Sequence, residues 1–312
     1  TFGTSDRWQW YPKLSASYVI SDEPWFSRSA IGRSFSSLRL RSALGFAGNQ
    51  PSVANAYASL DSYVKVVNND RVGVVNSLAL GNDALKPERQ REVEFGADMG
   101  FFKERLNFEA TVYSKKVTDA LLSRPLATSS GYTTILDNIG EISNRGFELL
   151  MRSTNIDRPA LHWGSTITYS RNRNRIDKLI GAPFTFGYAN RLEQGRPIDN
   201  FSPELPLKNA AGTDSISAAG LIVRNPTPTS GKVGDPNPKW LGSLLNELDV
   251  GRNLHFRVLL DGSFGGNVLN FSKRTMDTFG TSAEVANELL PVGDPNRVAP
   301  GYARSKRFFY GE

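Results

Sequence analysis

The stretch Arg91-Glu92-Val93-Glu94-Phe95-Gly96-Ala97-Asp98-Met99-Gly100-Phe101-Phe102-Lys103-Glu104-Arg105-Leu106-Asn107-Phe108-Glu109-Ala110-Thr111-Val112-Tyr113-Ser114 alternates twice. Val93, Phe95, Ala97, Met99 and Phe101 interleave with Glu92, Glu94, Gly96, Asp98 and Gly100. After Phe102–Arg105, Leu106, Phe108, Ala110 and Val112 interleave with Asn107, Glu109, Thr111 and Tyr113. Successive side chains leave a strand on opposite faces, so a period of two means strand. Two such runs around a short polar turn predict an antiparallel hairpin. Each strand has one apolar face and one face carrying carboxylates, as suits a wall with oil outside and water inside.

The pattern recurs along the chain. Leu14, Ala16, Tyr18 and Ile20 alternate with Lys13, Ser15 and Ser17; Leu38, Leu40, Ser42, Leu44 and Phe46 with Arg39, Arg41, Ala43 and Gly45. Phe147, Leu149 and Met151 alternate with Gly146, Glu148 and Arg152, and Leu150 breaks the polar side. Leu161, Trp163, Ser165, Ile167 and Tyr169 form another run; Leu254, Phe256, Val258, Leu260 and Phe264 form the last. That last run covers roughly 33 Å of strand. Tilted by about 40°, it rises about 25 Å, the height of the apolar band of an outer-membrane barrel. A large soluble β-sandwich or propeller also alternates and remains the alternative on pattern alone.

The 312 residues allow one all-β unit or two domains. No apolar run reaches 18 residues, which excludes a membrane-spanning helix and leaves a barrel open. There is no cysteine, hence no disulfide framework and no thiolate metal site. Thr1-Phe2-Gly3-Thr4-Ser5 does not resemble a signal peptide, so an exported protein would contain this chain as a piece. A net charge of +6, from 37 basic and 31 acidic residues, is no nucleic-acid footprint. The one dense basic cluster, Arg171, Arg173, Arg175 and Lys178, reads as a solvated loop base or as a contact for an anionic ligand or lipopolysaccharide.

Connections come in two kinds. Phe102–Arg105, Ser153–Ala160 and Val250–Asn253 are short; Gln50–Lys86, Thr118–Glu141, Ile176–Lys239 and Gly265–Phe308 are long. Tight periplasmic turns and large outer loops are the outer-membrane barrel signature. Ser21–Ser36 is an exception, a long connection on the side expected to be short. Trp25, Phe26, Phe101, Phe102 and Trp163 lie near turns, where a membrane–water interface favours aromatic rings. Ser282–Leu290 is predicted to be a short helix with an N-cap serine, stopped by Pro291.

No catalytic constellation is found. His162 and His255, the only histidines, each follow a short turn on a polar strand face. Glu92, Glu94 and Asp98 share a face, with Glu109 across the hairpin, and paired carboxylates can serve glycoside hydrolysis. Here Arg39, Arg41, Arg152 and Arg257 occupy the same kind of face, which favours a charged lumen wall over an enzyme. The lumen-facing set is therefore Arg39, Arg41, Glu92, Glu94, Asp98, Glu109, Glu148, Arg152, Arg257 and Asp261. The lipid-facing set is Val93, Phe95, Leu106, Phe108, Phe147, Leu149, Phe256 and Val258.

These residues also resemble a known family. Leu85-Lys86-Pro87-Glu88, with Glu92 to Asp98 behind it, resembles a strand signature of the SusC/RagA group of TonB-dependent outer-membrane proteins. Tyr113-Ser114-Lys115-Lys116 through Asp119-Ala120-Leu121-Leu122 resembles the strand that follows it. Asn138-Ile139-Gly140-Glu141-Ile142-Ser143-Asn144-Arg145-Gly146-Phe147-Glu148-Leu149 is similar to the next. Pro12–Glu23, Leu38–Asn49, Gly195-Arg196-Pro197-Ile198 and Gly234-Asp235-Pro236-Asn237-Pro238-Lys239 also have counterparts, in family order. The acidic loop expected before Gly234 is missing around Asp214–Gly220, so cation binding is not carried over.

The resemblance implies an all-β fold: an antiparallel transmembrane β-barrel, this chain supplying about 8–9 strands of a plugged barrel of about 22. Residues 1–312 would form a single partial barrel domain, with the plug and final strands elsewhere. Such a piece has two unpaired edges and should not insert alone. The implied function is active import of an oligosaccharide or peptide across the bacterial outer membrane, without catalysis and without a cofactor. Implied partners are outer-membrane lipid, a TonB-type energy-coupling protein acting through the plug, and a SusD-like lipoprotein. Tyr132, Phe184, Phe186, Tyr188 and Phe201 are candidates to stack on cargo, since aromatic rings pack on sugar faces. A soluble or surface-attached β-rich carbohydrate-binding or adhesion module is the competing class, an outer-membrane enzyme the third.

Overall fold

The structure is a computed structural model that describes residues 9–51, 64–68, 71–75, 79–186, 190–198, 200–201, 206–225 and 234–305. Its main element is one sheet of eight long strands: β1 Lys13–Val19, β2 Phe35–Ala47, β3 Arg89–Phe101, β4 Leu106–Pro125, β5 Thr134–Arg158, β6 Leu161–Leu179, β7 Trp240–Val250 and β8 Leu254–Phe264. Each pairs antiparallel with its neighbour in chain order, and Ala79–Leu80 adds a short parallel pairing to β5. The predicted hairpin is β3–β4, in register from Phe101 opposite Leu106 to Arg89 opposite Thr118.

Three predicted boundaries are corrected, and the same device is at work each time. The long connection Thr118–Glu141 is mostly strand, because β4 runs on to Pro125 and β5 starts at Thr134. The register shifts between Val117 and Ala120, at Asp119 with φ 55°. Most of Ser153–Ala160 is strand as well, with a shift between Thr154 and Ile156 and only Pro159–Ala160 as the turn. β6 runs past Ile176 to Leu179, opposite a shift between Glu141 and Ile142. An extra residue flips the parity of everything beyond it, so a strict period of two ends at the bulge although the strand does not.

The turn after β3 places Phe102, Lys103 and Glu104 all at positive φ. A bulge at the start of β2, between Phe35 and Ser37, frees Ser36, whose Oγ accepts the backbone N–H of Lys103 at 2.7 Å and of Glu104 at 3.3 Å. The Ser21–Ser36 connection folds into short helical turns, with helix Pro24–Ser27 in the middle.

The Leu85–Glu88 motif has a physical role. Asn138 Oδ1 accepts from the Lys86 N–H at 2.8 Å, and its Nδ2 donates to the carbonyls of Lys86 and Asp119 at 2.8 and 2.7 Å. Glu88 Oε1 accepts from the Leu121 N–H at 2.7 Å. One amide and one carboxylate thus satisfy the backbone groups that the bulge at Asp119 removes from the ladder. Leu85, Ala120, Ile139, Ile142, Ile176 and Leu179 are among the few buried apolar residues.

By internal contacts the chain divides into two units. One holds the sheet (Thr1–Phe184, Glu193–Ile198 and Pro238–Phe264), the other the long connections (Thr185–Leu192, Asp199–Asn237 and Gly265–Glu312). In the second, the predicted Ser282–Leu290 helix is found as Ala283–Ala286 with Ser282 at its N-cap, followed by a tighter turn Asn287–Leu289. A further helix, Phe271–Phe279, lies within the long connection Gly265–Phe308, where the sequence pattern predicts none. Asn270 caps it by accepting from the Lys273 N–H at 2.9 Å, and Gly280 ends it at φ 73°.

Lys273 ties the two helices together, at 3.0 Å from Asp277, itself 1% exposed, and at 2.9 Å from Glu284. Burial works to lower the Lys273 pKa, but the hydrogen bonds to Glu284 and Asp277 outweigh it and the value is raised. A raised lysine pKa stabilises fully below the unfolded value of about 10.4 and fades as pH climbs through the folded value. Replacing Lys273 by Met at neutral pH should cost about 1–3 kcal/mol of local stability, because Asp277 loses a charged partner. Amide exchange across Phe271–Phe279 should show this, and unchanged protection would refute the tie.

Candidate functional site

Register turns the eight strands into a grid of rows. One outward row reads Leu38, Met99, Phe108, Met151, Ile167, Leu244 and Leu260; the next reads Leu40, Ala97, Ala110, Leu149, Tyr169, Gly242 and Gly262. Val93, Phe95, Leu106, Phe108, Phe147, Leu149, Phe256 and Val258 all lie on this one face. Phe95 is 59% and Phe256 52% exposed, and neither Leu106 nor Phe108 is buried. Two stacked sheets would have hidden these residues from solvent.

The apolar stretch does not follow the rows. It spans Val93–Phe101 on β3, Leu106–Val112 on β4, Trp163–Tyr169 on β6, Leu244–Val250 on β7 and Leu254–Leu260 on β8. From β3 to β8 its centre slides by about two and a half rows, roughly 17 Å, across about 24 Å of sheet. The belt is thus inclined to the hydrogen-bond direction by roughly 35°, at the low end of the strand tilts of outer-membrane barrels. Two polar residues, Ser165 and Asn246, stand side by side inside it. Asn246 Oδ1 accepts from Ser165 Oγ at 2.7 Å and Trp163 Nε1 at 3.1 Å, so its carbonyl is satisfied by the wall itself.

The opposite face carries every one of Arg39, Arg41, Glu92, Glu94, Asp98, Glu109, Glu148, Arg152, Arg257 and Asp261. Arg39, Asp98, Glu109 and Asp261 fall in a single row. Arg39 donates through Nε and Nη2 to Asp98 Oδ2 at 2.8 and 2.6 Å; Arg41 donates to Asp98 Oδ1 at 3.1 Å and to Thr111 Oγ1 at 2.7 Å. Arg152 holds Glu109 at 2.7 Å, and Arg257 lies 3.5 Å from Glu247. His162 pairs with Asp157 at 3.3 Å and His255 with Asp249. These pairs are largely exposed, worth about 0–1 kcal/mol each; what they provide is a wetted, mutually neutralised surface. A hollow of ≈ 740 Å³ opens on it, lined by Glu92, Glu94, Tyr113, Lys115, Glu148 and Asn172 among others. Its wall is smoothed at Gly146, where the Tyr113 ring lies so close that a Cβ would come within 2.2 Å of it.

Leu245 and Leu259 also sit on this charged face, in the row of Arg152. Sequence reading missed them because Leu244-Leu245 and Leu259-Leu260 put apolar side chains on both faces at once.

The proposed stacking residues belong to both units. Tyr132 and Phe184 are half-buried. Phe186 lies in the strand Phe184–Phe186, and Tyr188 falls outside the described residues. Phe201 is 4% exposed and fills the space above Gly234, so its ring offers no open face to a sugar. Its backbone bridges both Asn190 and Gly234.

A family model described as "TonB dependent receptor-like, beta-barrel" matches residues 1–304. TonB-dependent receptor P3 of Formosa agariphila is 24% identical, covering 98% of this chain and 33% of that protein. TonB-dependent receptor SusC of Bacteroides thetaiotaomicron is 26% identical over 58% of this chain. The RagAB peptide importer in its closed-closed state matches the fold with a TM-score of 0.76 at 20% identity, over all of this chain and 36% of the matched one. The chain spans a third or less of the length of the curated relatives it matches.

Proposed function

Because the chain belongs to the TonB dependent receptor-like β-barrel family, whose proteins lie in the bacterial outer membrane, we propose that its sheet is part of the wall of a nutrient importer. The apolar belt meets lipid tails, and the charged face looks into a wet lumen. The long connections of the second unit form outer loops of the same barrel domain. The cargo is an oligosaccharide or a peptide, hydrogen-bonded by inner-face side chains such as Glu94, Tyr113 and Asn172. An energy-coupling protein of the TonB type, a plug and a SusD-like lipoprotein complete the machine. The inner carboxylates act as wall charges, not as catalysts.

One observation carries this reading: the belt crosses the register rows at the angle at which barrel strands cross a bilayer. A soluble sandwich has no reason to set its apolar stripe oblique to the hydrogen bonds of its own sheet. Relatives named as receptors of the same kind, and a fold neighbour titled a peptide importer, support it. Full-length protein should partition with outer membranes and migrate faster on gels before boiling than after. Release in soluble form would reject the wall.

A further inference from the structure

Above the belt, on the same outward face, the side chains change from apolar to basic. Phe147 stands directly opposite Arg171; one row further towards the long connections, Arg145 stands directly opposite Arg173, and Arg175 lies in the next. Like charges placed opposite each other across a ladder destabilise a sheet. All four guanidiniums are exposed. The nearby carboxylate of Glu141 is engaged by Lys116 at 2.8 Å and Lys178 at 3.9 Å, and no described carboxylate pairs with the four arginines. A sheet that builds in this repulsion gains it back when an anion sits between the arms. Guanidinium forks match phosphate oxygens two at a time.

A second feature lies beside the first. The outward face has a hollow of ≈ 580 Å³ where Ala97 and Ala110 leave a low floor between Tyr18, Leu40, Phe95 and Phe147. Phe147 is shared: it walls the hollow and neighbours Arg145 and Arg171. An apolar trough opening beneath a cluster of unpaired guanidiniums fits a molecule with an alkyl tail and a phosphorylated head. The short turns lie at the other end of the strands, so this end faces the outer leaflet if the wall reading above is right.

We propose that Arg145, Arg171, Arg173 and Arg175, with the Ala97/Ala110 hollow, form an annular site for an outer-leaflet lipid whose headgroup carries phosphate esters. The phosphates bridge the opposed arginines, and an acyl chain lies along the hollow. The inference rests on the orientation given under the proposed function.

The test uses full-length protein in detergent with bisphosphorylated lipid A as the probe, read by native mass spectrometry. The parent should retain the lipid, and the triple variant R145Q/R171Q/R173Q should bind it at least tenfold more weakly. Lipid A stripped of both phosphates should show the same loss on the unaltered protein. Ala97→Phe, which fills the hollow without touching charge, should also weaken binding. Arg252→Gln, in the turn at the opposite end, should leave it unchanged. Inorganic phosphate at matched concentration should not displace the lipid. A loss below tenfold in the triple variant, equal binding of the stripped lipid, or displacement by inorganic phosphate alone overturns the site. Heat-modifiable migration reports the barrel separately. If the variants migrate as the parent does yet keep the lipid, the site is wrong and the wall stands; if the parent itself does not migrate as a barrel, the wall reading fails first.

Discussion

Arginine placed at Phe256 should cost full-length protein about 2–4 kcal/mol of stability in lipid vesicles, and arginine at Phe95 nearly as much. The cost is that of desolvating a guanidinium in hydrocarbon, so it depends on depth. The inclined belt supplies the depths. On β8 the stretch Leu254–Leu260 centres beside Phe256 and Val258, and on β3 the stretch Val93–Phe101 centres on Ala97, one row from Phe95. Leu254, at the turn end of the belt, should cost only about 0–1 kcal/mol when replaced by arginine. Ser263, exposed on the charged face, should tolerate arginine within about 0.5 kcal/mol. Denaturant midpoints measured in vesicles would separate the four. Equal costs at Leu254 and Phe256, or none at Phe256, would mean that this face never meets lipid. A sandwich core predicts a different order, because there the penalty follows burial, and Phe95 and Phe256 are exposed in the sheet itself.

The two faces were legible because one is apolar and the other charged, the strongest contrast a strand can carry. Where that contrast holds, as in Arg91–Phe101, Leu106–Tyr113 and, Leu259 apart, Leu254–Phe264, alternation alone assigns each side chain to its face, and the register agrees. Legibility fails at physical features. Bulges at Asp119, near Asn155 and near Asp177 reverse parity, so strand beyond them was read as connection. β7 hides its period because Leu241 and Leu245 lie on the charged face while Asn246 lies in the belt. The Phe271–Phe279 helix was missed within a long stretch read as loop, although its caps, Asn270 and Gly280, are plain afterwards. Of the candidate site, the charge pattern of the wall was readable, but partners such as Arg39 and Arg41 sharing Asp98 depend on register, which only pairing fixes. Loop aromatics were the least readable, since a ring that packs and a ring that waits for cargo look alike in a sequence.

Phe201 is where that ambiguity can be broken. Its ring is buried against Gly234, and its backbone exchanges hydrogen bonds with Gly234 at 2.9 and 2.8 Å. The neighbouring chain is held in turn: the Arg191 N–H donates to the Asn200 carbonyl at 2.9 Å, and Asn200 Nδ2 donates to the Arg191 carbonyl at 2.7 Å. Truncating a buried phenylalanine to alanine typically costs about 3–5 kcal/mol, through lost burial and the cavity left behind. That loss should fall on the second unit alone, since local openings can be far cheaper than global unfolding. Phe201→Ala should therefore speed amide exchange at Asn190–Leu192 and around Gly234, while β3–β4 stays protected. Gly234→Ala should act in the same direction from the other side, because a Cβ there would sit 1.9 Å from the ring. A stacking ring would behave otherwise: its removal would weaken capture of one class of cargo and leave exchange untouched. Unchanged exchange in Phe201→Ala, with selective loss of oligosaccharide or peptide uptake, would return Phe201 to the cargo site. Local opening in both variants, with uptake of every cargo falling together, would place it among the residues that hold the second unit in shape.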